Sequence, residues 1–130
     1  MKKRILIIED DRLLLQLLGK KLSDDGGFTI IESFEGEEGL KKCREEKPDL
    51  ILLDIIMPGM DGFKVLSILK EDPETSDIPI MILSNLGQKH EVEKGLKMGA
   101  VDFLIKANFT PIEIIQKIKG FFESAEKKKK

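Results

Sequence analysis

The sequence predicts an α/β fold, a doubly wound five-stranded parallel sheet with five helices. Three observations point there. Short apolar runs recur at residues 5–8, 28–31, 50–53, 80–83 and 101–105. Segments with helical spacing of apolar residues alternate with them, and glycine or proline breakers mark most junctions. Several runs are continuous rather than alternating, as in strands buried on both faces of a parallel sheet. Such β-α alternation folds with right-handed crossovers and helices on both faces.

The first strand is closed by Glu9-Asp10-Asp11. Asp11 stands directly before a helix whose Leu14, Leu18 and Leu22 recur every four residues, so it is the expected N-cap. Gly26-Gly27 stops that helix ahead of the second strand. The helix expected over 37–46 is weakened at Gly39, and Pro48 breaks the chain before the third strand. After Gly62, Phe63, Leu66 and Leu69 line a third helix, which ends in the polar turn EDPETSDIP. The fourth strand ends in Ser84-Asn85. Val92 and Leu96, four apart, mark a helix over 88–98 that Gly95 and Gly99 make intrinsically weak. The fifth strand runs directly into Lys106. Thr110-Pro111-Ile112-Glu113 then starts the last helix, with Thr110 as N-cap and Glu113 closing a capping box. Its buried face is expected at Ile115, Ile118 and Phe122.

A length of 130 residues suits one domain, expected over 1–125 with 126–130 as a solvated lysine-rich tail. With 41% hydrophobic and 35% charged residues, the composition excludes a disordered chain. The apolar runs are too short to span a bilayer, so no membrane insertion is expected. The start, MKKRILIIEDD, passes at once from four apolar residues to acids and does not read as a signal peptide. Cys43, the only cysteine, rules out an internal disulfide and fits a reducing, cytoplasmic setting. Its helical position marks it as a small buried hydrophobe. His90, the only histidine, is expected to be exposed and idle. Outside the four lysines 127–130, 18 basic residues face 24 acidic ones. That mildly acidic body argues against direct nucleic-acid binding.

Four of the five strands end in a chemically capable group. Glu9 and Asp10 follow the first, Asp54 the third, Ser84 the fourth and Lys106 the fifth. In a parallel sheet these ends share one edge, the edge where open α/β sheets bind ligands. Taken singly, Ser84 is a turn residue, Lys106 a solvated lysine and Asp54 a strand-end cap. Taken together they change meaning, because crowded carboxylates resist joint ionisation unless a cation sits among them. Mg²⁺ suits such oxygen ligands. A lysine and a hydroxyl beside a central carboxylate complete the parts for phosphoryl transfer, with Asp54 as nucleophile.

IIEDD at the first strand end, LLDIIMPGMDG at the third, LSN at the fourth and FLIK at the fifth resemble the receiver domain of two-component response regulators. The resemblance covers residues 3–125. The intervals of 44 residues from Asp10 to Asp54, 30 on to Ser84 and 22 on to Lys106 are similar to those of single-domain chemotaxis regulators. It implies a CheY-like, flavodoxin-like sheet of strand order 2-1-3-4-5. It further implies that Asp54 accepts a phosphoryl group from a histidine kinase or histidine phosphotransfer protein. Glu9, Asp10 and Asp54, with the backbone carbonyl of Ile56, would hold Mg²⁺. Ser84 and Lys106 would bind phosphoryl oxygens, and Phe103 matches the switch aromatic that turns inward on activation. A signal leaving through a surface to a downstream protein is then expected, with a phosphorylation-dependent dimer as one form of it. The chain would act as a stand-alone phosphoacceptor without turnover of an external substrate.

Two positions depart from the family pattern. Receivers commonly follow the lysine with a cis proline, whereas Ala107 follows Lys106 here, so a trans, reshaped loop is expected. Ile56 and Leu86, two residues past Asp54 and Ser84, are apolar where relatives often carry groups that help a water attack the acyl phosphate. A slowly hydrolysing phosphoryl group follows. Two rival readings are an aspartate-nucleophile phosphohydrolase, which would want a second acid where Ile56 stands, and an unphosphorylated scaffold.

Overall fold

The computed structural model describes residues 2–128, and the side chains of 2–126. Five parallel strands, β1 (Arg4–Ile8), β2 (Thr29–Ser33), β3 (Leu50–Leu53), β4 (Ile80–Ser84) and β5 (Asp102–Ile105), form one sheet in the order β2-β1-β3-β4-β5. Between and after them run α1 (Arg12–Gly26), α2 (Gly36–Glu46), α3 (Gly62–Glu71), α4 (Lys89–Lys97) and α5 (Pro111–Lys128). The expected fold class and strand order are those observed.

Side-chain alternation divides the core into two layers. Leu6, Ile8, Ile51, Leu53, Ile80 and Ile82 pack with α2 and α3 on one face. Ile5, Ile7, Leu50, Leu52, Met81 and Leu83 pack with α1 and α5 on the other. Both faces are therefore dry, which is why these strands read as unbroken apolar runs. Burying each such side chain contributes about 1.5–3 kcal/mol.

Most element ends lie where local chemistry directs. Asp11 accepts from the Leu14 N–H at 3.1 Å and caps α1. Gly27, at φ 70°, closes its other end in the left-handed region that favours glycine. Thr110 and Glu113 exchange the capping-box bonds at 2.8 and 3.2 Å. Cys43 is buried, and burial pushes its thiol up to about 11. His90 is exposed.

Three details differ from expectation. β2 starts at Thr29 rather than Phe28, because the Phe28 N–H bonds back to the Leu22 carbonyl of α1 and the ladder begins with Thr29 N–H on Lys3. Phe28 packs instead against Phe122. Val101 precedes β5 and is exposed. On α4 the buried residue is Gly95, while Leu96 is 44% exposed. A Cβ at Gly95 would stand 2.7 Å from Ile82 Cδ1 and 3.0 Å from Phe103 Cδ2, so glycine lets this helix sit close on β4 and β5.

Candidate functional site

Each strand leads into a helix and all five point the same way, so the groups following β1, β3, β4 and β5 gather at the C-terminal edge of the sheet. Strand order reverses between β1 and β3, and their ends lie side by side, Ile8 against Leu53. Glu9, Asp10 and Asp54 therefore meet at this switch point. One oxygen from each of the three carboxylates lies within 4.8 Å of the others. Glu9 and Asp54 are buried and Asp10 is exposed. A cleft of about 240 Å³ opens above them, lined by Glu9, Asp10, Asp11, Asp54, Ile56, Asn85 and Lys106.

Asp54 is 4% exposed. Its N–H donates to the Ile8 carbonyl at 3.0 Å, tying it to β1. Its Oδ1 accepts from the Ile56 N–H at 3.2 Å. Beyond it the chain must turn sharply into α3. Gly59 does so at φ 81°, and at Gly62 a Cβ would collide with the Asp54 carbonyl oxygen and lie 2.5 Å from Ile55 Cα. Glycine there keeps the backbone folded tightly behind the carboxylate.

Lys106 arrives from β5, two strands from β3, and reaches across β4. Its Nζ lies 2.6 Å from Glu9 Oε1 and 3.1 Å from Asp54 Oδ2. The Lys106-Ala107 bond is trans, as every peptide bond is among the described residues. Residues 106–108 form a single 3-10 turn in which the Phe109 N–H donates to the Lys106 carbonyl.

The charges in this pocket perturb one another. Burial pushes the Glu9 carboxyl up to about 7. The Lys106 hydrogen bond and the Asp11 N–H draw it part of the way back, and the Asp54 charge adds to the rise. For Lys106, burial by itself would lower the ammonium, but the Glu9 hydrogen bond and the Asp54 charge outweigh it and hold its pKa above the ordinary lysine value.

Ser84 is fully buried as the last residue of β4, and its Oγ accepts from the Leu86 N–H at 3.3 Å. Asn85, rather than Ser84, lines the cleft. Sequence reasoning does not single out Asn85 or Asp11 as rim residues, although each adjoins a residue that it does select. Phe103 is buried against Ile82 and the close face of α4. Ile56 stands at the cleft mouth, 53% exposed.

Residues 5–119 match the family described as the response regulator receiver domain. The chain belongs to that family. Receivers are phosphoacceptor switch domains that interact with histidine kinases and downstream effectors. Among curated proteins, this receiver is 34% identical over 126 residues to the alkaline phosphatase synthesis transcriptional regulatory protein PhoP of Bacillus subtilis, across 97% of this chain and 51% of PhoP. It thus spans about half the length of that relative. Among solved structures, a CheY-like receiver domain protein from Methanospirillum hungatei superposes with a TM-score of 0.88 at 26% identity, covering 98% of this chain and 99% of that one. The Mn²⁺-bound form of response regulator Rcp1 superposes with a TM-score of 0.81 at 25% identity, over 92% and 94% of the two chains. No helix among the described residues is long and apolar enough to cross a membrane.

Proposed function

We propose that this receiver accepts a phosphoryl group on Asp54 from a phosphohistidine of a histidine kinase or histidine phosphotransfer protein, and that the acyl phosphate switches a protein-binding surface. The observation that carries this reading is the meeting of Glu9, Asp54 and Lys106, from three strand ends, in one small cleft with Lys106 Nζ 3.1 Å from Asp54 Oδ2. In the transfer a carboxylate oxygen of Asp54 forms a bond to phosphorus while the P–N bond to the imidazole breaks and its electron pair stays on the nitrogen. Lys106 would follow one phosphoryl oxygen as its counter-charge, and the Ser84 hydroxyl would donate to another. Phe103, paired with Ile82 in the middle of β4 and packed against α4 at Gly95, would couple that change to α4.

Glu9, Asp10 and Asp54, with the Ile56 carbonyl, would hold Mg²⁺. Three hard oxygen donors within 4.8 Å of one another suit that ion, and a lysine drawn into the cleft marks its need for positive charge. That Rcp1 is known in a Mn²⁺-bound form supports the reading that this receiver takes a divalent cation. When bound there, the ion would neutralise charge gathering on the transferring oxygens.

On this reading residues 1–125 form the receiver and 126–130 a lysine-rich segment whose described part, 126–128, continues α5, in a cytoplasmic protein that turns over no external substrate. Phosphorylation-dependent dimerisation is one form its output takes. Ile56 offers no second acid for phosphatase turnover.

Intact-mass spectrometry after incubation with acetyl phosphate tests the reading. One phosphoryl group should appear only with Mg²⁺, and none in Asp54→Ala. A gain in that variant, or none in the native chain, would overturn it.

A further inference from the structure

The charges around the cleft above Asp54 do not balance. Its lining sets four carboxylates, those of Glu9, Asp10, Asp11 and Asp54, against the single ammonium of Lys106, and Ile56 adds an apolar side chain. Asn85 is the one lining residue that is polar and uncharged. Strand register puts it there. Ser84 pairs with Ile105 in the ladder between β4 and β5, so Asn85 and Lys106 leave the sheet side by side. Leu53 pairs with Ile82 across β3 and β4, and Ile56 and Asn85 follow that pair at the same interval, one an apolar wall and the other a polar one.

The neighbouring hydroxyl is turned away. Ser84 is fully buried, its Oγ accepts from the Leu86 N–H at 3.3 Å, and it does not line the cleft. Asn85 is exposed, and among the described residues no hydrogen bond holds its side chain.

We infer that Asn85 is a phosphoryl-binding residue, whose carboxamide NH₂ donates to a phosphoryl oxygen as the group passes to Asp54. The inference rests on Asp54 as the acceptor. Phosphorylation replaces the single negative charge of that carboxylate by about two, in a cleft whose one ammonium is already shared between Glu9 at 2.6 Å and Asp54 at 3.1 Å. A carboxamide supplies two N–H donors without a charge of its own. The surrounding carboxylates repel its carbonyl oxygen and draw the NH₂ end inward. With acetyl phosphate as donor, an Asp54 oxygen bonds to phosphorus while the P–O bond to the acetyl group breaks, and its electron pair leaves on acetate. The three other phosphoryl oxygens keep their charge through the transfer, and Asn85 donates to one of them.

Two variants separate donation from bulk. Asn85→Ala removes the donors and opens the cleft mouth, whereas Asn85→Asp keeps the size, removes the donors and adds a charge. Phosphorylation by acetyl phosphate at saturating Mg²⁺, followed by intact mass over time, should slow about tenfold in Asn85→Ala, less than the ~10²–10³ of an enclosed oxyanion hole because this mouth is open to water. Asn85→Asp should be slower still. Beryllofluoride, a phosphoryl mimic that needs no leaving group, should bind Asn85→Ala about tenfold more weakly at saturating Mg²⁺. Affinity for Mg²⁺ alone and the melting temperature of Asn85→Ala should match the native protein, since the side chain is exposed and supplies no carboxylate.

A native chain that gains the phosphoryl group, with either variant within about threefold of its rate or Asn85→Ala binding beryllofluoride as tightly, overturns the role of Asn85 and leaves Asp54 as acceptor. Faster phosphorylation of Asn85→Ala does the same, because it would show that the side chain only obstructs the mouth. No gain by the native chain overturns the Asp54 reading and this inference with it.

Discussion

Glu9 carries the residue-scale consequence for pH. Its pKa rises from 4.5 to about 7 on folding, chiefly by burial. An acid with a raised folded pKa contributes stability that is present below its unfolded value and lost as pH rises through the folded one. Metal-free native protein should therefore lose thermal stability between about pH 4.5 and 7, relative to Glu9→Gln, which has no carboxyl to titrate. Melting curves across that range check it, and a parallel course for the two proteins would refute it. On the proposed chemistry, Ile56 would set the lifetime of the acyl phosphate. Its apolar side chain at the cleft mouth neither orients nor activates water. Replacing Ile56 with Asn should speed loss of the phosphoryl group by up to about tenfold, well short of the ~10²–10⁴-fold of a positioned general base. Decay of the phosphorylated mass with time measures it.

Among the elements, α4 is the one held least by side chains of its own. It packs on the sheet through Gly95, where a methyl group would press on Ile82 and Phe103. Gly95→Ala should gain roughly 1 kcal/mol in helix propensity but lose about 1–3 kcal/mol to overpacking, so the protein is expected to be less stable, with the Phe103 ring displaced. Gly120 on α5 makes the contrast, because an added Cβ there meets nothing within 4 Å. Gly120→Ala should stabilise by about 1 kcal/mol. Denaturant titration of the two variants should give opposite signs. Gly95 and Gly120 look alike in the sequence, as isolated glycines in helical segments. Only the neighbouring element tells a tolerated weakness from a required close approach.

At the scale of the whole molecule, one sheet edge collects the chemistry and one half of the sheet is placed to answer it. Ser84 ends β4, the segment through Leu86 leads into α4, and Phe103 lies in β5 beneath that helix. With the Phe103 ring already buried, activation should move the 85–88 segment and α4 most, Phe103 less, and β2 with the outer half of α1 least. Backbone NMR shifts on adding a phosphoryl mimic with Mg²⁺ would map this. Changes spread evenly over the molecule, or confined to α1, would count against a switch built on β4 and α4.

Much of this was legible without coordinates, for local reasons. Continuous apolar runs give the doubly buried strands, caps such as Asp11 and Thr110 give the helix starts, and residues directly after the strands give the acids, serine and lysine. The strand order came only with the family resemblance, since periodicity says which faces are buried and nothing of which strands are neighbours. Three things belonged to the tertiary structure. Helix rotation turned Gly95 inward and Leu96 outward, because contact with Ile82 and Phe103 outweighs apolar spacing. Packing buried Ser84 and left Asn85 on the cleft rim. The folded sheet also carried Lys106 across β4 to Glu9, near the opposite end of the chain, and bound it there more closely than to Asp54. Residue types and spacing determine which groups reach the common edge. Side-chain length and the distance between strands decide which of them touch, and those exist only once the chain has folded.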